Sequence, residues 1–485
     1  RPGALLGDEA GLGKTLQALA FLVWLREHQG SDLPALVIAP ADLLTHWEAE
    51  IGRHFAADAM GRVVRAVAPV QDLADWADAG LVLTTYEQIR DHHTAFASQS
   101  FAAILYDEAQ QLKDPASQTT RAAKTLNARF QLAITAAFGE CRPVELSSIV
   151  GVIDRGLLVP DDQAELDNRL SAQEGGRPPI ILRRTQADCA DSLPARHVVM
   201  LPMPMPPAQA KAYEQIVMRG LVAKDIGDSE RIRDVLQALG DVSLHPAQAR
   251  DRDQPSVETG ASARFAATVD LMRKIAAQGE KALIICEDQD VQAFLASELR
   301  RALAIAHPVQ RIYDTMPATA RQAAFAAFEQ GGEGFDVLIA SPDAAHAGAP
   351  LTTVNHIIQL SRWWSPTAED RITSLVSHLG QTRDVTVYLP QAVHPAVAQN
   401  SFDLRVDELR QRQRQQGQSP FNIEAELAAL FDLVVSEAAE IIDASSAPAQ
   451  LAEPPPPPAP TGIRKILGLV RPRQPAPTPA LPASP

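Results

Sequence analysis

The sequence contains few cysteines, few aromatic residues and no long apolar run. Its 3 cysteines are scattered among 485 residues, and they form neither a disulfide framework nor a metal-binding spacing. Because a membrane-spanning helix needs about 20 consecutive apolar residues, we expect no membrane span. The first residues do not have the pattern of a secretory signal. These features predict a cytoplasmic protein.

An excess of positive charge is missing as well. The chain has 44 lysine and arginine residues against 59 aspartate and glutamate residues, and its net charge is −15. This balance argues against a nucleic-acid-binding protein that relies on bulk attraction, although basic groups could still line a cleft. A hydrophobic content of 46% supports sizeable cores, and the length favours about three domains.

A glycine-rich segment near the start of the chain is typical of a phosphate-binding loop. Residues 7–15 read GDEAGLGKT, follow a short apolar run and open into an amphipathic helical pattern. Backbone N–H groups at Gly11 and Gly13, with the positive end of the helix dipole, favour phosphate groups. Lys14 is expected to contact the β- and γ-phosphates of ATP, and the Thr15 hydroxyl to bind Mg²⁺. The alternative is an ordinary turn, because an aspartate stands where the strict pattern has its first glycine.

Short apolar runs alternate with helical patterns in two parts of the chain. The runs predict strands at 35–40, 81–86, 102–106 and 132–135, and again at 282–286, 337–340, 356–360 and 385–388. Such alternation indicates parallel sheets whose ligands bind at the carboxyl ends of the strands. The sequence therefore predicts an α/β fold in which two doubly wound parallel-sheet lobes face each other across a cleft.

An acidic pair follows the strand predicted at 102–106. Asp107 is expected to hold Mg²⁺ and Glu108 to orient or deprotonate the attacking water, because phosphoryl transfer depends on positioning and charge neutralisation. Gln110 belongs to the same segment. The alternative is that the two carboxylates only cap the next helix.

Several motifs, in the same order, resemble those of the Swi/Snf-type ATPases, a branch of the superfamily-two helicase-like proteins. They comprise DEAGLGKT at 8–15, DEAQ at 107–110, ILRRT at 181–185, LHP at 244–246, WWSP at 363–366 and LGQT at 379–382. The resemblance covers roughly residues 5–415 and implies two RecA-like lobes, ATP and Mg²⁺ as cofactors, and double-stranded DNA as a partner. It also implies catalytic roles for Lys14, Asp107, Glu108 and Gln110.

The predicted domains follow these motifs. The first RecA-like lobe is expected to lack part of its N-terminus, because the chain starts without a methionine and close to the loop. The predicted bounds are 1–150 for this ATP-binding lobe, 151–255 for a helical insertion and connector, 256–395 for the second RecA-like lobe, 396–442 for C-terminal helices and 443–485 for a tail. The tail holds 13 of the 37 prolines, so we expect it to be disordered and to offer a site for a protein partner.

The chain departs from this family where the second lobe should face the nucleotide. The family has two arginines in the segment DRxxRIGQ, and the matching residues here are Leu375 and His378. An arginine finger accounts for about 10³–10⁵ in rate in related phosphoryl-transfer systems, so we expect slower hydrolysis. Arg371, one helical turn earlier, or Arg362 is a candidate to reach the site instead. The fourth-strand motif TGTP is also altered, to TAAF at 135–138.

Two functions fit these observations. The first is an ATP-dependent, nucleic-acid-stimulated, helicase-like translocase on double-stranded DNA, with hydrolysis slowed by the missing arginines. The second is a catalytically weak or inactive ATP-binding scaffold of the same fold within a larger bacterial assembly.

Hydroxyl groups on loops suit the phosphate oxygens of a polymer. The predicted polymer contacts are Thr84, Thr85, the segment around Trp47, Ser341 and Thr352.

Overall fold

The computed structural model describes residues 2–29, 33–67, 76, 78–136, 143–156, 179–186, 188–189, 193–226, 229–246, 259–332, 334–346, 350–362, 366–378, 380–416 and 423–446. The proline-rich part of the predicted tail, 447–485, lies outside these ranges. Within them the chain forms two parallel β-sheets with helices, as the sequence predicts. No helix among the described residues is long and apolar enough to cross a membrane.

The first sheet is built from seven strands that all lie before residue 183. They are β1 (Gly3–Leu6), β2 (Ala35–Ala39), β3 (Arg62–Ala66), β4 (Ala79–Thr85), β5 (Ser100–Tyr106), β6 (Asn127–Ile134) and β7 (Ile181–Leu182). Their order is β3-β4-β2-β5-β6-β1-β7, with parallel pairing throughout. Helices cover both faces of this sheet, so its central strands are near-continuous apolar runs.

The helices of this first lobe connect the strands. They are α1 (Lys14–Gln29), α2 (Leu44–His54), α3 (Tyr86–Asp91), α4 (His93–Ala97), a 3₁₀ turn (Ala109–Leu112), α5 (Gln118–Thr125) and α6 (Pro143–Ile153). Helix α2 begins without a side-chain cap. The capping position is Leu43, and no side chain bonds the first turn there.

The second sheet repeats the same architecture. Its strands are β8 (Arg196–Pro204), β9 (Lys281–Ile285), β10 (Gln310–Ile312), β11 (Asp336–Ala340), β12 (Val354–Gln359) and β13 (Val385–Val393). The order is β10-β11-β9-β12-β13-β8, again with parallel pairing throughout. This sheet and its helices form the second lobe.

The later helices fall into two groups. Those around the second sheet are α9 (Ala263–Gln278), α10 (Gln289–Ala302), α11 (Ala318–Gln330), α12 (Pro342–His346) and α13 (Pro366–Ser374). The others are α7 (Pro207–Ile226), α8 (Ser229–Leu244), α14 (Phe402–Gln416), α15 (Ile423–Phe431), a π-helical segment (Asp432–Glu437) and α16 (Ala438–Ser446). This second group shares a core of its own, which includes Tyr213, Leu236, Val406 and Phe431.

The predicted connector contributes strands to both sheets. Its β7 pairs with β1 in the first sheet, and β8 pairs with β13 in the second over its whole length, from Arg196 opposite Val385 to Pro204 opposite Val393. The sequence pattern does not predict β8, because its prolines are typical of loops and edge strands. The connector between the lobes is therefore partly β-structure.

Candidate functional site

The glycine-rich loop lies between β1 and α1, at the carboxyl edge of the first sheet. Gly11 and Gly13 have φ angles of 86° and 69°, which side chains other than glycine rarely adopt. Helix α1 begins at Lys14, with Thr15 as its second residue. The predicted strand–loop–helix order is therefore present, with the helix N-terminus at the end of the loop.

Lys14 folds back over the loop. Its Nζ donates to the backbone oxygens of Asp8, at 3.0 Å, and Glu9, at 3.2 Å. Burial lowers the pKa of Lys14, while the charges of Glu108 and Asp107 raise it. Lys14 thus lies within electrostatic reach of the acidic pair, and a phosphate could take the place of the two carbonyl oxygens.

Asp107 is a buried carboxylate with both oxygens engaged. One oxygen accepts the backbone N–H of Glu108 at 3.0 Å, and the other accepts Nε1 of Trp47 at 2.8 Å. Burial and the neighbouring Glu108 raise the pKa of Asp107 to about 6, although Trp47 and Lys14 act in the opposite direction. A cation at this position would favour the ionised form.

Mg²⁺ fits this donor set. The described residues contain no cluster of three or more histidine, cysteine or acidic side chains that could hold a metal by themselves. Mg²⁺ commonly takes one or two carboxylates together with substrate phosphates. Asp107, whose raised pKa a cation would lower, and the Thr15 hydroxyl are the residues that would hold it beside ATP.

Glu108 has a backbone conformation that is uncommon outside glycine. Its φ is 49°, and among the described residues other than glycine only Ala304 also has a positive φ. Such conformations are held in place by surrounding structure and are frequent at functional sites. The Glu108 carboxylate accepts two side-chain donors, Nε2 of Gln110 and, from the second lobe, Nη2 of Arg371 at 3.1 Å.

Gln110 links Glu108 to the end of β6. Its side-chain oxygen accepts the hydroxyl of Thr135 at 2.9 Å, while its amide donates to Glu108. Thr135 is 1% exposed and is the part of the altered fourth-strand motif that this chain retains. The remainder of that motif at 137–138 lies outside the described residues. The hydroxyl at the end of β6 is thus joined to Glu108 through one amide.

The second lobe meets the loop at the end of α13. A Cβ atom added to Gly11 would lie 2.6 Å from the backbone oxygen of Ser377 and 3.4 Å from Cβ of Ser374. Together with the Arg371–Glu108 ion pair, this contact brings α13 and the turn after it against the predicted nucleotide site.

The two residues at the family's arginine positions are both buried in the second lobe. Leu375 is 8% exposed and packs in the second-lobe core, and its backbone oxygen accepts the N–H of Leu351 at 2.7 Å. His378 is also buried, with 8% exposure. Arg371 is therefore the second-lobe arginine that contacts the predicted site residues.

Arg362, the other candidate, is used inside the second lobe. Its Nε donates to Glu369 of α13 at 2.9 Å, and its Nη2 donates to Asp407 of α14. Arg410 of α14 also pairs with Glu369, at 3.2 Å. These side chains are all at most 8% exposed, so Arg362 fastens α13 to α14.

The aspartate that breaks the strict loop pattern has a structural role. Asp8 is fully buried and accepts the backbone N–H of Arg184 at 2.9 Å and its guanidinium at 2.5 Å. Gln17 of α1 donates to the same carboxylate at 3.1 Å. Glu9 accepts the N–H of Gln186 at 2.6 Å. The loop is thereby tied to the segment after β7.

Most of the predicted polymer contacts are wrong. Trp47, Thr84 and Ser341 are fully buried. The hydroxyl of Thr84 donates to Ala66, and that of Thr85 accepts from Gln88 as the cap of α3. These side chains hold the fold and do not face a polymer. Thr352 is exposed, with its hydroxyl on Glu329, and the segment around Trp47 includes the exposed Thr45 and Ala49, so these two contacts stay predictions.

Comparison with known families gives two matches. Residues 1–159 match the SNF2-related domain, and residues 264–379 match the helicase conserved C-terminal domain. The first match contains the loop and the acidic pair, and the second contains Arg371, Leu375 and His378. Both halves of the site described above thus lie in matched domains.

Individual relatives agree with these matches. The Zorya protein ZorD of Escherichia coli O139:H28 is 29% identical over 466 residues, covering 85% of this chain and 42% of that protein. The putative ATP-dependent helicase/translocase YwqA of Bacillus subtilis is 28% identical over 411 residues, covering 80% and 44%. This chain therefore spans less than half the length of these curated relatives.

A solved structure also matches most of the chain. The Sulfolobus solfataricus SWI2/SNF2 ATPase core in complex with dsDNA is 24% identical, with a TM-score of 0.40, and the match covers 90% of this chain and 92% of that one. With an SNF2-related domain followed by a helicase C-terminal domain, the chain belongs to the SNF2-related family of helicase-like ATPases.

Proposed function

We propose that this chain hydrolyses ATP and uses the reaction to move along double-stranded DNA without separating its strands. The observation that carries the proposal is the convergence of both lobes on Glu108. This carboxylate accepts Gln110 of the first lobe and Arg371 of the second. A site made by two lobes can couple hydrolysis to their opening and closing.

Each predicted residue has a role in this reaction. Lys14 binds the β- and γ-phosphates, and Thr15 and Asp107 hold Mg²⁺, which neutralises phosphate charge. Glu108 orients the water and accepts its proton. Gln110 fixes the Glu108 carboxylate through its hydrogen bond. The roles follow from chemical type and family position, and the contacts described above are compatible with them.

Double-stranded DNA is the proposed polymer. The name of the Bacillus relative, a putative helicase/translocase, supports a polymer-moving activity. Because the net charge is −15, binding should depend on local basic groups, weaken as salt rises and ignore base sequence. A strong base preference at constant salt would contradict this part of the proposal.

Turnover is proposed to be slower than in a family member that has both second-lobe arginines. Leu375 carries no charge and packs in the core, and this observation favours the second function, a binding scaffold with weak or no hydrolysis. ATP binding is common to both functions, whereas DNA-stimulated hydrolysis belongs only to the first.

Loss of Lys14 tests the nucleotide site itself. Lys14→Ala is expected to abolish Mg-ATP binding in isothermal titration, because the phosphates lose their direct cationic contact. Lys113→Ala is the matched control, since Lys113 is an exposed lysine of the same lobe, and it should bind normally. Equal affinity in Lys14→Ala and the unmodified chain would refute the phosphate-loop assignment.

A further inference from the structure

The geometry points to Arg371 as the second-lobe cation that contacts the γ-phosphate during hydrolysis, a role for which the family uses the positions of Leu375 and His378. This inference rests on the proposed ATPase function. Arg371 lies on α13, whose last residue is Ser374. Leu375 follows the helix and packs in the second-lobe core, whereas the guanidinium of Arg371 reaches Glu108 of the first lobe.

The hydrogen bonds of Arg371 leave part of its guanidinium unused. Nη2 donates to Glu108 at 3.1 Å across the two lobes. Nε is buried and has no hydrogen-bond partner among the described residues. A buried donor without an acceptor is unfavourable and uncommon in native structures. An anionic oxygen beside Glu108 would satisfy this donor.

A second cation, Lys14 of the first lobe, lies near Arg371 beside the carboxylates of Asp107 and Glu108. Arg371 is close enough to Lys14 for its positive charge to lower the pKa of that lysine, in addition to the larger effect of burial. Two cations from different lobes thus face one site and repel each other. A phosphate between them would convert this repulsion into two charge-assisted contacts.

The helix that carries Arg371 is firmly held. Glu369, two residues earlier on α13, pairs with the buried arginines Arg362 and Arg410. Thr373 hydroxyl donates back to the Glu369 carbonyl at 2.9 Å. Arg371 therefore moves with the second lobe as a unit. A preorganised donor of this kind stabilises developing charge without reorganisation at the moment of reaction.

The reaction gives this donor a defined task. Water oxygen forms a bond to the γ-phosphorus, and the bond from phosphorus to the bridging oxygen breaks, with its electron pair passing to ADP. Glu108 accepts the proton of the water and returns it to the products. Arg371 donates hydrogen bonds to the oxygens of the transferring phosphoryl group. These oxygens carry the charge that a donor in the closed lobes would stabilise.

The test compares Arg371→Ala and Arg371→Lys with Arg301→Ala. Arg301 is an exposed second-lobe arginine paired with Glu298, so its removal controls for loss of one charge. Isothermal titration measures affinity for Mg-ADP and for Mg-ADP with aluminium fluoride, and steady-state assays give kcat. Arg371→Ala should bind ADP normally, lose its preference for the fluoride complex and lose about 10³-fold or more in kcat. Arg371→Lys should recover part of the preference for the fluoride complex and part of kcat, because lysine keeps the positive charge but lacks the planar guanidinium.

The Glu108→Gln variant distinguishes a direct contact of Arg371 with phosphate from an effect of Arg371 on Glu108. In Glu108→Gln, removal of Arg371 should still weaken the aluminium fluoride complex if Arg371 contacts the phosphate. No further loss in that background would mean that Arg371 acts only by holding Glu108, and the inference would fall.

The unmodified chain distinguishes the remaining outcomes. If it prefers the fluoride complex and Arg371→Ala keeps that preference, the inference fails while the proposed ATPase function stands. If the unmodified chain binds no nucleotide, both fail, because Arg371 then has no phosphate to contact.

Discussion

At the residue scale, a buried indole donates a hydrogen bond to the carboxylate of Asp107. The Nε1–H of Trp47 donates to Asp107 at 2.8 Å, and both side chains are buried. This bond favours the carboxylate and lowers its pKa, against burial and the charge of Glu108, which together raise it to about 6. The sequence places Trp47 in an amphipathic helix but gives no indication of this partner.

The state of Asp107 predicts a pH dependence. Mg²⁺ needs the ionised carboxylate, so kcat/KM for Mg-ATP should fall as pH falls through about 6. Trp47→Phe removes the bond that lowers the pKa of Asp107, so the same acid limb should move to higher pH. The measurement is a pH profile of kcat/KM, with Trp24→Phe as control because Trp24 is 48% exposed. An unmoved limb in Trp47→Phe would contradict the assignment.

Leu375 shows what a motif comparison leaves out. The family pattern alone indicates that an arginine is missing at this position. The structure shows that Leu375 packs with Ile372, Val376 and their neighbours in the second-lobe core. Inserting an arginine here would bury a charge without a built partner, so Leu375→Arg is not a simple repair of the site.

At the element scale, α14 is a helix that buries three of its charged residues in ion pairs. Asp403 pairs with Arg264, Asp407 with Arg362, and Arg410 with Glu369. The sequence predicts C-terminal helices at 396–442, and α14 lies within these bounds. The sequence does not predict the buried ion pairs of this helix, because charged residues at helical spacing ordinarily form a solvated face.

Breaking one of these pairs should destabilise the second lobe. Asp407→Ala leaves Arg362 buried with only part of its pairing, and loss of one partner of a buried ion pair costs about 3–5 kcal/mol. Denaturant unfolding followed by circular dichroism measures the loss. Glu408→Ala is the control, because Glu408 is 43% exposed in its pair with Arg405, and exposed pairs contribute about 0–1 kcal/mol. Equal losses of unfolding free energy in the two variants would show that the buried ion pair stabilises the protein no more than the exposed one.

The predictability of the strands follows from their burial. Strand β5 is apolar and buried along nearly its whole length, so the apolar run at 102–106 predicts it. Strand β3 reads RVVRA and is mostly exposed, and β8 contains prolines at the sheet edge. These two have no strong hydrophobic pattern, and pairing with a neighbouring strand decides their conformation.

At the scale of the whole molecule, local motifs predict one half of the site and not the other. Lys14, Asp107, Glu108 and Gln110 lie in short recognisable segments, and these residues are close together in the structure; their catalytic roles stay a prediction. The Arg371–Glu108 contact joins residues 263 positions apart. Sequence spacing identifies Arg371 only as a candidate, because the closeness of the two lobes is a property of tertiary packing.

The chain spans less than half the length of its curated relatives, so the partners and activity of a longer protein remain proposals. A protein partner for the proline-rich tail and a cytoplasmic location also remain predictions.

ATP hydrolysis by the 485-residue chain, measured with and without double-stranded DNA, distinguishes a translocase from a scaffold. We expect measurable Mg-dependent hydrolysis that rises when duplex DNA is added, falls again at high salt and disappears in Lys14→Ala. ATP binding without hydrolysis, unchanged by DNA at low salt, would contradict the translocase function and favour the ATP-binding scaffold.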